Sequence, residues 1–291
     1  MKTPGLKDLY ITLSELNNSF THYSLVWNQF GLDYAEIFKN NPKTLTKDYF
    51  TENPYKRKHN IKFGELEAEH HKTHETLIKG IFLLIYTHFE GYLKDLIIFS
   101  TKVDDTIIPI ENKVENGEED FMLIDKIFNR IGIDKNLFSE EGLLTLDYIR
   151  LKRNRLIHSN AENISKSLNG IIKQHGDDLN RYWNNILPSK LQGIDFSDKL
   201  NVNIMTFSSI IDIINIIRGI SLEIDKLVIN KLTSIAIVEK VIIPSFSSLQ
   251  HRKLKGIKFE RLVSKYKRFC ISEYAIEVND EMVELLKSSI A

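Results

Sequence analysis

The 291-residue chain has a single cysteine, Cys270, so it can form neither an intrachain disulfide nor a cysteine-based zinc cluster. A lone thiol suits a reducing compartment. Six prolines and 13 glycines are too few for a collagen-like or low-complexity chain. Charge of one sign is not in excess either: 39 Lys and Arg balance 39 Asp and Glu, so only local clusters can point to a nucleic acid or an acidic partner. Long apolar runs are missing as well. The two greasiest stretches, 81–98 and 204–222, are interrupted by Thr87, His88, Glu90, Lys94 and Asp95, and by Asp212, Asn215 and Arg218. Ionisable groups near the middle of a span are expensive in lipid. No apolar signal-peptide core follows the first residues. The expectation is a cytoplasmic protein that does not enter the membrane.

What the chain does have is 42% hydrophobic and 27% charged positions, arranged in long periodic segments. A chain of this size buries roughly three quarters of its unfolded surface, enough for a sizeable core. Leu16, Phe20, Tyr23, Trp27 and Phe30 recur at three-to-four spacing and predict a helix over 14–39, stopped by Asn40, Asn41 and Pro42. A second helix is predicted over 65–99, and shorter ones over 120–131, 139–158 and 176–187. A long one is predicted over 203–231. Residues 103–120 read as an acidic loop. The β-branched run 235–243, closed by Pro244, is strand-like. The fold class is mainly α. Its expected parts are an N-terminal helical extension (1–60), a helical domain (61–231) and a small basic C-terminal segment (232–291).

The segment 143–158, LLTLDYIRLKRNRLIH, carries the most chemistry. At about 100° per residue, counting from Leu143, one apolar field of Leu144, Tyr148 and Leu151 falls at roughly 80–140°. A second, of Leu146, Ile149, Leu156 and Ile157, falls at roughly 220–320°. Between them runs a narrow polar stripe of Arg150, Asn154, Asp147 and His158, with Arg153 at its border. Lys152 is expected on the opposite, solvent-facing side. Polar groups between two apolar strips suit a cleft or a seam between packed bodies; a buried ion-pair network, joining Asp147 to Arg150, Arg153 or Glu90, explains the same pattern.

Arg153, Asn154 and, five positions after the arginine, His158 resemble the R-x4–6-H motif of the HEPN superfamily in its R-N-x-x-x-H form. Upstream, 81–96 (IFLLIYTHFEGYLKDL) resembles the aliphatic-aromatic-Glu-Gly helix of the RiboL-PSP-type HEPN branch. The likeness covers about residues 65–230. It implies a HEPN-like helical bundle and a metal-independent endoribonuclease needing no cofactor, acting as a homodimer with both motifs facing one composite site. Such proteins commonly serve as toxins or as antiviral defence effectors. Arg153, Asn154 and His158 would then be catalytic, with Arg150, Asp147 and Glu90 supporting them. Glu90, at the edge of an apolar face, is expected to need Arg150 or Arg153 as a cationic partner. The chain departs from toxins silenced by nucleotide transfer to a tyrosine two residues after the histidine, because Ser159 and Asn160 follow here. That silencing mechanism is therefore not expected, while the resemblance still implies an antitoxin or defence-system protein as a partner.

Two further signals have plainer explanations. His70 and His74 stand at i, i+4 with Glu67 nearby, but not in H-E-x-x-H order, so no metal is expected. Positions 251–268 hold Arg252, Lys253, Lys255, Lys258, Arg261, Lys265, Lys267 and Arg268 against Glu260, interleaved with Phe259 and Tyr266. That composition suits contact with an RNA backbone, although charge runs are usually solvated faces. The alternative to an enzyme is a non-catalytic HEPN-like module that binds RNA, a nucleotide or a protein partner.

Overall fold

The computed structural model describes residues 1–112, 122–157, 164–250 and 258–290. Among them the chain is helical, with one isolated antiparallel bridge between Leu45 and Lys62. The elements are α1 (Pro4–Asn40), α2 (Thr46–Tyr49), α3 (Phe63–Val103), α4 (Leu123–Ile131), α5 (Glu140–Ile157), α6 (Lys166–Ile186), α7 (Phe207–Leu232), α8 (Ser234–Ile237), α9 (Ile243–Gln250), α10 (Phe259–Tyr274) and α11 (Asp280–Ile290). The class is mainly α, a helical bundle, as the periodicity predicts. Among the described residues no helix is long and apolar enough to cross a membrane.

The bundle is organised around α3 and α7. From Ile78 onward α3 buries one continuous face, and α7 buries residues on most of its circumference, among them Ile210, Ile213, Ile214, Ile217, Ile220, Ile224 and Val228. A helix apolar on so many sides belongs inside a bundle and not on its surface. Helix α1 runs antiparallel to α3: Gly5 lies beside Tyr92 and Asp95, while Phe38 at its far end meets Phe63.

Helix α1 begins about ten residues before the periodic stripe that predicts it. Thr3 is its N-cap, accepting a bond from the Leu6 amide at 3.3 Å, and Pro4 occupies the first turn. The cap is fastened in turn: the amide and hydroxyl of Thr3 both donate to the buried carboxylate of Asp225 on α7.

A second buried carboxylate closes the loop before α7. Asp212 Oδ2 accepts from the amides of Gln192, Gly193 and Ile194 at 3.0, 2.7 and 2.9 Å. Gly193 has no room for a side chain, since a Cβ there would lie 2.2 Å from the Ser209 amide nitrogen. Bonds to a buried charge are the stronger kind. Asp212→Asn, which keeps the acceptor oxygen and loses the charge, is expected to lower unfolding stability by about 1–2 kcal/mol in urea titration.

The strand-like reading of 235–243 is wrong. This run is helical: α8 passes through a π turn (Val238–Ile242) into α9. Its buried positions, Ile237, Val238, Val241, Ile242 and Phe246, follow helical spacing, and that period overrides the β-branched composition. Pro244, which has no amide hydrogen to give, sits just after the π turn near the start of α9. Helix α6 is also ten residues longer at its start than predicted, capped by Ser165. The acidic loop is described only to residue 112.

Candidate functional site

Helix α5 starts after Ser139, whose amide and hydroxyl donate to the Glu223 carboxylate of α7 at 3.0 and 3.1 Å. It is then clamped from one side by α6, where Trp183 Nε1 donates to the buried Thr145 hydroxyl at 2.8 Å. From the other it packs on α3. These contacts set the rotation of the helix and hence the direction of each polar group on it.

The polar stripe is real, but its surroundings differ from the wheel's two separate walls. Tyr148, Lys152, Thr145, Ile149 and Leu146 are all buried, so the two apolar fields join through the side expected to face solvent. Lys152 is 0% exposed. Its ammonium donates to the carbonyls of Asn201 and Ile204 at 2.7 and 3.3 Å, beneath a loop from the α6–α7 connection. The wheel could not see that loop. Asp147, Arg150 and Asn154 therefore line the one open margin of α5 and are half-buried.

Each cation at this margin is braced. Arg150 forks onto Asp147 Oδ1 through Nε at 3.0 Å and Nη2 at 2.6 Å, an i, i+3 pair. Arg153 donates from Nη1 to Asn154 Oδ1 at 3.1 Å, and its guanidinium carbon stands 5.4 Å from the centre of the Tyr86 ring on α3. That separation is within cation–π range. Glu90, one turn beyond Tyr86, is not ion-paired among the described residues, contrary to the expected pairing with Arg150 or Arg153. The reason is that Asp147 and Asn154 engage those guanidinium groups first. Glu90 acts instead on Tyr86. Burial pushes the Tyr86 hydroxyl up to about 12; the charge of Glu90 and its hydrogen bond push the same way, against the pull of Arg150 and Arg153. At neutral pH Tyr86 is thus a neutral phenol under a fixed cation.

Of the residues singled out by sequence, α3 and α5 bring together Arg153, Asn154, Arg150, Asp147 and Glu90. His158 lies outside the described residues, one position past Ile157. Arg252, Lys253 and Lys255 also lie outside them. Lys258 and Arg261 are exposed and Lys265 half-buried, on or beside α10, whose opposite stripe of Leu262, Tyr266, Cys270 and Tyr274 is buried. These cations are thus presented on the outer side of α10. Cys270 is enclosed, and burial pushes its thiol up to about 11, so it is a poor nucleophile.

Searches of protein-family models, curated proteins and solved structures find no match to this chain. Function must be read from the residues.

The residue that sequence reasoning undervalued is Tyr86. Its spacing to Glu90, one helical turn, placed the two side by side, but only the α3–α5 packing puts its ring under Arg153. Among the described residues no group of three or more His, Cys, Asp or Glu is placed to hold a metal ion. His70 is engaged by aromatic rings: it stacks on Trp27 with centroids 3.6 Å apart.

Chemically, the margin offers two guanidinium groups three residues apart at the C-terminal end of one helix. Arg150 is largely neutralised by Asp147. Arg153 has no carboxylate partner among the described residues and is held by one amide oxygen and one ring face. A braced guanidinium with uncommitted N–H groups suits a phosphate oxygen.

Proposed function

We propose that this chain is a HEPN-type endoribonuclease that cleaves RNA without a metal ion. The observation that carries the reading is the bracing of Arg153 by Asn154 and Tyr86, on the helix turn that leads to His158, in the motif order the resemblance supplies. RNA carries its own nucleophile, the 2′-hydroxyl. The enzyme need only take that proton, stabilise charge on the crowded phosphate and return a proton to the 5′-oxygen that leaves. In this reading Arg153 stabilises the phosphate oxygens and His158 moves the proton. The products are a 2′,3′-cyclic phosphate and a 5′-hydroxyl end.

The proposal includes a homodimer acting in the cytoplasm as a toxin or antiviral defence effector. Exposed Leu77, Leu84 and Ile98, at multiples of seven along α3, and exposed Ile157 at the end of α5 are apolar groups that a second copy could cover. The test is incubation of purified protein with total RNA and tRNA in excess EDTA, comparing wild type with His158→Ala. Cleavage by wild type alone, leaving cyclic phosphate ends, supports the enzyme. Binding without cleavage by either favours the non-catalytic module.

Tyr86 supplies a graded check. Tyr86→Phe keeps the ring face beneath Arg153 and is expected to cleave within about threefold of wild type. Tyr86→Leu removes it, and a cation–π contact of about 0.5–2 kcal/mol corresponds to a loss of about 2- to 30-fold in kcat/KM. Equal rates for the two variants would show that the ring does not brace the arginine.

A further inference from the structure

Beyond Phe20 on α1 and before Ile78 on α3, the two helices are covered chiefly by each other and by the loop between them. This arm is built from aromatic rings. Tyr34 and Phe38 lie 5.9 Å apart, Phe38 and Phe63 5.1 Å, and Phe30 and Phe50 5.9 Å between ring centres. At its side is a cavity of about 260 Å3 walled by Trp27, Phe30, Phe50 and Tyr55, with Asn53 and Lys56 at its polar edge. Pockets for drug-sized ligands run from about 300 to 1,000 Å3. This one has room for a single planar ring.

The cavity is held in shape from behind and from the side. The Trp27 indole lies nearly parallel to the His70 ring, at 9°, and Tyr23 contacts His70 Nδ1 at 3.2 Å. Burial, with the neighbouring His74 and His71, holds the His70 ring down at about 4, so the stack behind Trp27 is neutral at physiological pH. The loop is pinned by Thr46, whose hydroxyl donates to the His59 carbonyl at 2.8 Å and accepts from the Ile61 amide at 3.2 Å. Asn53 Oδ1 accepts from the Tyr55 amide, which leaves its side-chain N–H groups without a partner among the described residues.

The loop beside the cavity is basic, although Lys62 within it pairs with Glu65 of α3 at 3.6 Å. Residues 42–62 carry Lys43, Lys47, Lys56, Arg57, Lys58 and Lys62 against Asp48 and Glu52, in a chain with no net charge. All six cations except Lys56 are exposed, as is Tyr55 at 67%. A ring-sized aromatic slot beside a basic loop, with Lys56 at its edge, fits a ligand that is aromatic and flat at one end and anionic at the other.

We infer that the tip of the α1–α3 arm is a second RNA-contact site, which takes one unstacked base of a single strand between its aromatic walls and the flanking phosphates on its lysines. A base in a duplex cannot reach such a slot, whereas single-stranded bases stack on aromatic side chains with little dependence on sequence. The choice of RNA as the polyanion rests on the ribonuclease reading; the slot itself does not. The arm would hold substrate at a distance from Arg153 and thus lower KM more than it raises kcat.

The test uses the full-length His158→Ala protein, which is not expected to cut its ligand, titrated with fluorescein-labelled 12-mers of uridylate and adenylate. Trp27 is a built-in reporter, because the second tryptophan, Trp183, is 2% exposed. The oligomers are expected to quench Trp27 fluorescence. Adding Tyr55→Ala, at an exposed position, is expected to weaken binding by about 5- to 150-fold, the range for one base stack. Reversing Lys56, Arg57 and Lys58 to Glu is expected to weaken it further and to flatten the salt dependence. Three results would overturn the inference: no quenching at saturation, unchanged affinity in Tyr55→Ala, or quenching by free uridylate or adenylate with no binding of the oligomers. Should binding behave as expected while wild type fails to cleave, the arm site stands and the ribonuclease reading falls.

Discussion

His158→Ala is expected to reduce RNA cleavage in EDTA by about 10²–10⁴-fold, the worth of one positioned proton-transfer group. Arg153→Ala is expected to cost about 10²–10³-fold, the loss found when one preorganised donor to a developing oxyanion is removed. The informative variant is Arg153→Lys. It preserves the charge but not the planar fork, so it can neither spread over the Tyr86 ring nor bond Asn154 while presenting N–H groups to a phosphate. If position rather than charge is what Arg153 supplies, Arg153→Lys falls closer to Arg153→Ala than to wild type. Arg150 gives the contrast, since its Nε and Nη2 both donate to Asp147 Oδ1 and the carboxylate offsets most of its charge. Arg150→Ala is expected to lose less than tenfold. Rates measured under single turnover, with circular dichroism on each variant, separate lost chemistry from lost folding. Equal loss at Arg150 and Arg153 would mean that the margin acts as one structural ion-pair network and would remove the assignment of Arg153 as the phosphate-binding group.

How much of this could be read from residues alone depends on whether the deciding contact was local. The long helices were legible because their apolar groups repeat along one chain segment: α3 and α7 lie within a few residues of their predicted bounds. The start of α1 was missed because the stripe there is sparse, although Thr3-Pro4 is a cap and first-turn signal in plain view. The 235–243 run misled because β-branched composition was weighed above spacing. At the site, the grouping of Arg150, Asp147 and Asn154 on one margin of α5 was legible from the 3.6-residue period. Which partner each would choose was not. Asp147 is three residues from Arg150 and captures it locally, whereas Tyr86 reaches Arg153 only through packing of two helices more than 60 positions apart. Lys152 failed for the same reason: a wheel assigns a direction, but whether that direction is solvent depends on what the rest of the chain lays over it.

Lys152 makes a test of that burial independent of any activity. Its ammonium is enclosed, bonded to two carbonyls and not ion-paired among the described residues; burial lowers it from 10.5 to about 8. Folding therefore penalises the charged form. Below pH 8 both folded and unfolded chains hold the proton and the full penalty applies. Between pH 8 and 10.5 the unfolded chain binds more protons than the folded one, so stability rises with pH. The whole swing is about 3 kcal/mol, of which about 1 kcal/mol falls between pH 7.5 and 9. Cys270 opposes it higher up: its thiol, raised from 9.0 to about 11, makes stability fall as pH climbs through that interval. The measurement accordingly stays below pH 9 and compares wild type with Lys152→Met, which keeps an unbranched apolar stem. Urea titrations should show stability rising with pH in wild type and flat in the variant. Parallel curves would mean that Lys152 is solvated and that the loop at 201–204 does not close over α5. The result bears on the site too, because Lys152 precedes Arg153. Its tether to the 201–204 loop adds to the contacts with α6, α7 and α3 that set the rotation of α5. In Lys152→Met a loosened loop is expected to let α5 turn, so any loss of cleavage should be shared with Tyr86→Leu and should not add to it.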